Sequence, residues 1–177
     1  MRRIRDKEQV EYWLQKGHIR ENFDTENLPF SVCRFEKGEY LSHPLKPLHQ
    51  FLLVVEGSVR IYGIHEDSRV FGVSYARTDT LLGDIEFCQI NHSPFFTEAD
   101  EPVLCLSLPF AENRAVLEND PVFLRFVMGQ LARKLELSSR TRTAKRPRRS
   151  FPVRALHFLL CFTAPTAAAR RMPQPAG

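Results

Sequence analysis

Two β-rich runs meet at a tight turn in Leu53-Val-Val-Glu-Gly-Ser-Val-Arg-Ile61, in the first half of a 177-residue chain. We interpret Glu56-Gly57 as a hairpin turn, because glycine readily adopts the positive φ that such a turn needs. Short apolar runs separated by turn residues continue on both sides, from Phe30 to Phe110. Strands at roughly 8–12-residue spacing are typical of an all-β barrel, sandwich or jelly roll. The predicted strands are Ser31–Phe35, Tyr40–Leu41, Gln50–Val55, Ser58–Ile64, Val70–Tyr75, Leu81–Phe87 and Val103–Leu108.

Helical periodicity is found before and after the strands. Val10, Trp13 and Leu14 recur at the spacing of an amphipathic helix. Later, Asn119-Asp120-Pro121 combines a helix-capping residue with proline at the first helical position, which is a strong start signal. Helices are therefore predicted over residues 6–16, 110–118, 121–139 and 151–162.

The long helix from residue 121 carries apolar residues that are four, three and four positions apart, a heptad-like spacing. We call these residues the seam: Leu124, Met128, Leu131 and Leu135. One interpretation packs the seam against the helix's own β-rich body. We favour a dimer interface, in which the seam meets a second copy of the chain, because the seam continues past the point where that body should end.

Charge is distributed unevenly along the chain. Residues 1–139 hold 16 basic and 21 acidic residues, whereas residues 140–177 hold 9 basic residues and no acidic ones. The two net charges, −5 and +9, give the +4 of the whole chain. An acidic body therefore carries a basic tail, and only the tail indicates nucleic acid as a partner.

The tail opens with a basic run, Thr143-Ala-Lys-Arg-Pro-Arg-Arg-Ser150. Its cationic side chains are candidates for weak, salt-sensitive contacts with DNA phosphates: Lys145, Arg146, Arg148 and Arg149. The alternative is a solvated linker. The Ala/Pro-rich residues 163–177 predict disorder. Because no element is evident that would read bases in a groove, we expect no operator-specific binding.

Composition excludes several classes of protein. A hydrophobic content of 43% with 14 phenylalanines is typical of a globular domain. No run approaches the about 18–20 apolar residues of a membrane span, and the charged start is unlike a secretory signal. The cysteines are far apart, which predicts reduced thiols in the cytoplasm and no structural zinc or iron–sulfur site: Cys33, Cys88, Cys105 and Cys161. We expect Cys88 and Cys105 to pack in the core.

An enzyme is the competing class of function. A cupin-like metalloenzyme needs clustered histidine and carboxylate ligands. The histidines outside the two ends of the chain are instead scattered: His43, His49, His65 and His92. No nucleophile elbow, P-loop or dinucleotide-binding fingerprint is present. The sequence therefore predicts neither catalytic nor metal-binding residues.

Three segments occur in a specific order along the chain. Phe35-Glu-Lys-Gly-Glu-Tyr-Leu41 comes first, the Glu56-Gly57 hairpin second, and Leu82-Gly-Asp-Ile-Glu86 third. In this order, over about residues 25–143, they resemble the cyclic-nucleotide-binding domain of Crp/Fnr-type bacterial transcription regulators. Leu82–Phe87 and Ser150-Phe-Pro-Val153 also look like the YeiL branch of that family.

The resemblance implies a mainly β fold with helices, a double-stranded β-roll (jelly roll) followed by a long dimerisation helix. It also implies a sensor: the roll binds a small effector, the helix forms a homodimer, and a C-terminal winged helix-turn-helix reads DNA. Only 38 residues follow Ser139, without a turn-helix pair, so we expect a truncated or altered DNA-binding domain. The alternative is a partner that only dimerises with full-length regulators. The expected divisions are a helical segment, the roll, the dimerisation helix and a basic, partly disordered remnant, at residues 1–26, 27–118, 119–143 and 144–177.

In the family's cyclic-nucleotide binders, a cassette supplies a glycine, a glutamate and, about ten residues on, an arginine. Here Gly83 matches the glycine and Asp84 replaces the glutamate, but no arginine lies between Arg77 and Arg114. A cyclic phosphate would then lack a cationic partner, so we expect an uncharged or apolar effector, or no effector, in preference to a tightly bound cyclic nucleotide. The sequence predicts no certain cofactor. The expected ligand-binding residues are Gly83, Asp84, Ile85, Glu86, Phe95 and Phe96. The alternative leaves the two carboxylates as solvent-facing residues at a strand end.

Overall fold

Nine strands in two antiparallel sheets form the centre of the computed structural model, within the residues it describes. Those residues are 1–4, 6–46, 48–64, 68–89 and 95–144, without the side chains of 72, 73, 89 and 140–144. The strands are β1 (Arg2–Ile4), β2 (Ser31–Phe35), β3 (Tyr40–Ser42), β4 (Gln50–Glu56), β5 (Val59–Ile64), β6 (Val70–Ala76), β7 (Leu81–Leu82), β8 (Phe96–Ala99) and β9 (Val103–Pro109).

The two sheets have the strand orders β1-β2-β9-β4-β7 and β3-β8-β5-β6. The tight β4–β5 connection joins them, and it contains Gly57 at φ +87°. A β-carbon at Gly57 would lie 2.5 Å from the Pro102 carbonyl oxygen, so both the positive φ and the close approach require glycine. The predicted positive φ at Gly57 is therefore confirmed. The predicted hairpin is wrong, because β4 and β5 pair with other strands in different sheets.

Among the described residues, four α-helices and one short 3-10 helix (Ile19–Asn22) accompany the sheets. The α-helices are α1 (Lys7–Lys16), α2 (Asp84–Gln89), α3 (Arg114–Leu117) and α4 (Pro121–Ala144). Asp6 caps α1, and its side chain accepts hydrogen bonds from the backbone of Glu8 and Gln9. Asp120 caps α4 through a 2.8 Å hydrogen bond from the Phe123 amide. The Asp120 cap agrees with the sequence prediction, whereas the Asp6 cap was not predicted. Helix α4 continues five residues beyond the predicted end at Ser139.

Alternate residues of the first sheet face two different apolar layers. Leu52 and Val54 of β4 lie between the sheets, in a cluster with Cys33, Phe35 and their neighbours. The intervening residues of β4 pack under α1 and α4, in a second cluster with Trp13, Leu14, Phe123 and Val127. This double burial explains why the apolar run of β4 is continuous and not alternating.

One predicted strand is wrong, and two strands were not predicted. Leu81–Phe87 was expected to be a strand, but only Leu81–Leu82 is extended and α2 follows. Gly83 at φ +96° turns the chain, and the Phe87 amide donates to the Gly83 carbonyl at 2.9 Å, which begins helical bonding. The short strands β1 and β8 lack a sequence signal that would separate them from loops. The other predicted strands are confirmed to within one residue at each end.

Candidate effector site and dimer interface

The cassette begins at a turn that is pressed against the first sheet. A β-carbon at Gly83 would lie 2.7 Å from the Gln50 carbonyl oxygen, so this turn needs glycine. Asp84 follows as the first residue of α2 and is only 2% exposed. Glu86 is also buried, at 8% exposure. The alternative in which these carboxylates face solvent at a strand end is therefore wrong, since both lie buried on a helix.

The Asp84 carboxylate is held by a lysine from α4. Both carboxylate oxygens accept hydrogen bonds from Lys134 Nζ, each at 2.7 Å. The same ammonium donates to the Leu81 carbonyl at 2.5 Å, and Gln130 Oε1 accepts from the Leu81 amide at 3.4 Å. A sugar hydroxyl that used Asp84 would share the carboxylate with Lys134, which already occupies one acceptor site on each oxygen.

Sequence reasoning missed Lys134 and Gln130. The available signal was a helical spacing. Phe123, Val127, Gln130 and Lys134 follow one another at steps of three or four residues, so the two polar residues lie on the same helix face as the two buried ones. Polar residues that follow buried apolar residues on one helix face are directed toward the β-sheets, where they need hydrogen-bond partners. The identity of the partner depended on the turn at Gly83, which the sequence did not predict.

The aromatic residue Phe87 ties α2 to the helical layer. Its ring lies 5.0 Å from the Phe51 ring and 5.8 Å from the Phe123 ring. The Arg114 guanidinium lies 4.7 Å above the Phe87 ring and donates to the Phe87 carbonyl at 3.0 Å. This packing holds the C-terminal half of α2 against the helical layer.

Cys88 is exposed on α2, so the expectation that it packs in the core is wrong. Partial burial of its thiol, together with the nearby Asp84 charge, raises the pKa of Cys88. Cys105 does lie in the core, opposite Cys33 on the neighbouring strand, and both are free thiols. Burial and the neighbouring Cys33 raise the pKa of Cys105 well above its ordinary range.

Phe95 and Phe96 do not join the cassette as a pair. On β8, Thr97 and Ala99 are buried, so alternation turns Phe96 and Glu98 to the outer face of the second sheet. There the Phe96 ring stacks on Tyr62 at 5.4 Å. The prediction that Phe96 lines an effector pocket is corrected accordingly. The Phe95 ring instead lies 6.3 Å from the ring of Phe71.

The outer face of the second sheet holds a polar and aromatic cluster. The Tyr62 hydroxyl donates to Glu98 at 3.0 Å, and Arg60 donates to the other oxygen of Glu98 at 3.0 Å. Burial, and then hydrogen bonds to Tyr40 and Glu98, raise the pKa of Tyr62 well above its ordinary range. The cluster stabilises this sheet, and it lies on the opposite side of the sheet from the roll interior.

The seam divides into two pairs. Leu124 and Leu131 are half-buried against the helix's own body, whereas Met128 and Leu135 are 62% and 69% exposed. Packing against the helix's own body is therefore confirmed for Leu124 and Leu131. The dimer interface stays a prediction, and Met128 and Leu135 are the seam residues left exposed for it.

Residues 32–120, half of the chain, match the family described as the cyclic nucleotide-binding domain. The chain belongs to this family. It is also 31% identical over 81 residues to Regulatory protein YeiL of Escherichia coli O157:H7. That match covers 46% of this chain and 37% of the relative, so this chain aligns with about a third of the regulator's length.

Solved structures of regulators share the fold of this cyclic nucleotide-binding domain. The Thermus thermophilus catabolite activator protein has a TM-score of 0.54 at 16% identity, covering 78% of this chain and 59% of that one. A CooA variant from Carboxydothermus hydrogenoformans has a TM-score of 0.54 at 20% identity, covering 79% and 82%. The sensor domain of the regulator DNR from Pseudomonas aeruginosa has a TM-score of 0.50 at 16% identity, covering 81% and 97%. The fold class and the Crp/Fnr resemblance are thereby confirmed.

Some predictions lie outside the described residues. These are the phosphate contacts of Lys145, Arg146, Arg148 and Arg149, the helix at 151–162, and the disorder of the last residues. In the part of the chain that is described, no helix is long and apolar enough to span a membrane. In that same part, no three histidine, cysteine or acidic side chains converge as a metal site would require.

Proposed function

We propose that this chain is the effector-sensing module of a Crp/Fnr-type transcription regulator. In this proposal the β-roll binds a small molecule in the cytoplasm, and helix α4 forms a homodimer through the seam. The observation that carries the proposal is that the same helix contacts the cassette and exposes the apolar residues of the seam. Helix α4 reaches the cassette through Lys134 and presents Met128 and Leu135 to solvent on an adjacent stripe. The match of residues 32–120 to the cyclic nucleotide-binding family supports the same conclusion.

The cassette favours an effector without a phosphate. Asp84, which takes the place of the family's glutamate, is already paired with Lys134. The sequence places no arginine between Arg77 and Arg114 that could neutralise a cyclic phosphate. Burying an anion without a cationic partner is costly. We therefore propose an uncharged or apolar small molecule as the effector.

The experiment that tests the dimer uses the full chain in sedimentation velocity over a range of concentrations. Replacing Leu135 by glutamate places a charge in the exposed half of the seam. We expect Leu135→Glu to weaken the dimer at least tenfold, because two carboxylates would be desolvated in the interface. Arg133→Glu is the control, since Arg133 is exposed two residues before Leu135 and therefore does not share its helix face. A wild-type chain that stays monomeric, or equal losses in both variants, would contradict the proposed interface.

A further inference from the structure

The Lys134 ammonium donates hydrogen bonds to acceptors at the turn that begins the cassette. A lysine ammonium has three protons to donate. Three acceptors lie within 2.7 Å of Nζ: the Leu81 carbonyl and the two oxygens of Asp84. One helical turn earlier, Gln130 accepts from the Leu81 amide, so α4 holds both polar groups of that residue's backbone. Four hydrogen bonds from one turn of α4 therefore reach Leu81 and Asp84, at the start of the cassette (residues 81–89).

Burial makes the ion pair between Lys134 and Asp84 important for stability. Asp84 is 2% exposed and Lys134 is 30% exposed, so the carboxylate has little access to water. A buried carboxylate without its cation is strongly destabilised, whereas a surface ion pair contributes little. If α4 slid or turned away, Asp84 would lose its counter-ion. The cassette and α4 therefore move together, or the ion pair has to be replaced by another partner.

Building on the proposed function of this site, we propose that Lys134 is a positioning residue that couples the order of the cassette to the order of α4. Its neighbour in sequence, Leu135, belongs to the exposed half of the seam. Fixing Lys134 on Asp84 therefore fixes the direction in which the seam faces.

The test is hydrogen exchange by mass spectrometry on the full chain. Lys134→Met removes the cation but keeps most of the side chain's apolar length. We expect amide exchange to rise at least tenfold both in the cassette, residues 81–89, and in α4, residues 128–139. Because coupling is reciprocal, Asp84→Asn in the cassette should also raise exchange in α4. Lys134→Arg keeps the cation and should restore most of the protection. Arg133→Met, on an exposed position of the same helix, is the control for loss of one positive charge.

Faster exchange in only one of the two segments, or equal effects of Lys134→Met and Arg133→Met, would overturn the coupling. If Lys134→Met does not fold, the double variant Asp84→Asn with Lys134→Met removes the stranded charge. That double variant should fold and still show fast exchange in both segments, and protection at the wild-type level would overturn the proposal. A monomeric wild-type chain would refute the proposed dimer, while the exchange data would still decide the role of Lys134.

Discussion

Asp120 connects the N-terminal segment to the long helix through one buried carboxylate. One oxygen accepts from the Phe123 amide at 2.8 Å, and the other accepts from the amides of Asp24 and Thr25 at 2.9 and 2.8 Å. Burial by itself would raise the pKa of Asp120. The hydrogen bonds from Phe123, Thr25 and Asp24 outweigh it and hold the pKa of this carboxyl below its ordinary value. Asp120 is therefore more than a helix cap, because it also anchors a segment almost a hundred residues earlier in sequence.

Asp120→Ala should lower the free energy of unfolding by about 2–3 kcal/mol at neutral pH, since it removes a cap and strands two further amides. The pKa of Asp120 is depressed in the folded state, so its contribution is complete above the ordinary aspartate pKa of about 3.9. It is lost as the pH falls through the lowered value. Urea unfolding of both proteins from pH 7 downward measures this difference.

Asp6→Ala is the matched control for this measurement, because Asp6 caps α1 in an exposed position with only two local amides. Its loss should cost about 0.5–1 kcal/mol. Equal costs for Asp6 and Asp120, or a difference between wild type and Asp120→Ala that persists unchanged to about pH 2, well below the ordinary aspartate pKa, would contradict the role assigned to Asp120.

At the scale of elements, local patterns predicted the long strands and the long helix but misjudged the cassette. Helix α4 is long enough for its period to be unambiguous, and β4 is a continuous apolar run bounded by the turn at Gly57. Leu81–Phe87 is apolar enough to be a strand, but Gly83 lies against the Gln50 carbonyl and turns the chain into α2. That close approach joins residues more than thirty positions apart, and periodicity carries no information about it.

The same limit applies to the candidate site. Gly83 and Asp84 could be singled out from the order of three short segments. The partner of Asp84 could not, because Lys134 lies fifty residues later and meets it only once α4 has packed on the sheet. The sequence analysis also placed Phe96 in the interior of the roll. Which residues of β8 face inward depends on where that strand begins and ends, and the sequence did not predict those bounds. Since Thr97 and Ala99 are buried, alternation places Phe96 outside.

The contacts of the cassette predict that the chain does not bind cyclic nucleotides. Cyclic AMP and cyclic GMP should leave the thermal unfolding midpoint of the full chain unchanged at millimolar concentration. The carboxylate of Asp84 is engaged by Lys134, and the phosphate would have no arginine partner from the cassette. A ligand present at 100 times its dissociation constant adds about 2.7 kcal/mol, which would raise the midpoint by several degrees. Stabilisation by cyclic AMP but not by the control adenosine monophosphate would contradict this account.

At the scale of the whole molecule, charge separates the chain into an acidic body and a basic tail. Residues 1–139 carry a net charge of −5 and residues 140–177 a net charge of +9. The net negative charge of the body disfavours contact with a polyanion, so we predict that contacts with DNA phosphates come from the tail. Binding through phosphates depends on salt and carries no sequence information. The overall charge of +4 therefore does not indicate that the sensor body itself reads DNA.

We expect the full chain to bind random and palindromic duplexes equally weakly, with a dissociation constant on the order of 10⁻⁴–10⁻⁶ M near physiological salt. Replacing Lys145, Arg146, Arg148 and Arg149 by alanine should flatten the dependence of log affinity on log salt, by about 0.9 for each phosphate that is no longer neutralised. Fluorescence anisotropy across a salt series measures this slope. Alanine at Lys7 and Lys37, which are exposed on the acidic body, should leave the slope unchanged. Preference for the palindrome at moderate salt would show that the chain reads sequence, and an unchanged slope in the fourfold variant would show that the basic run does not bind the phosphates.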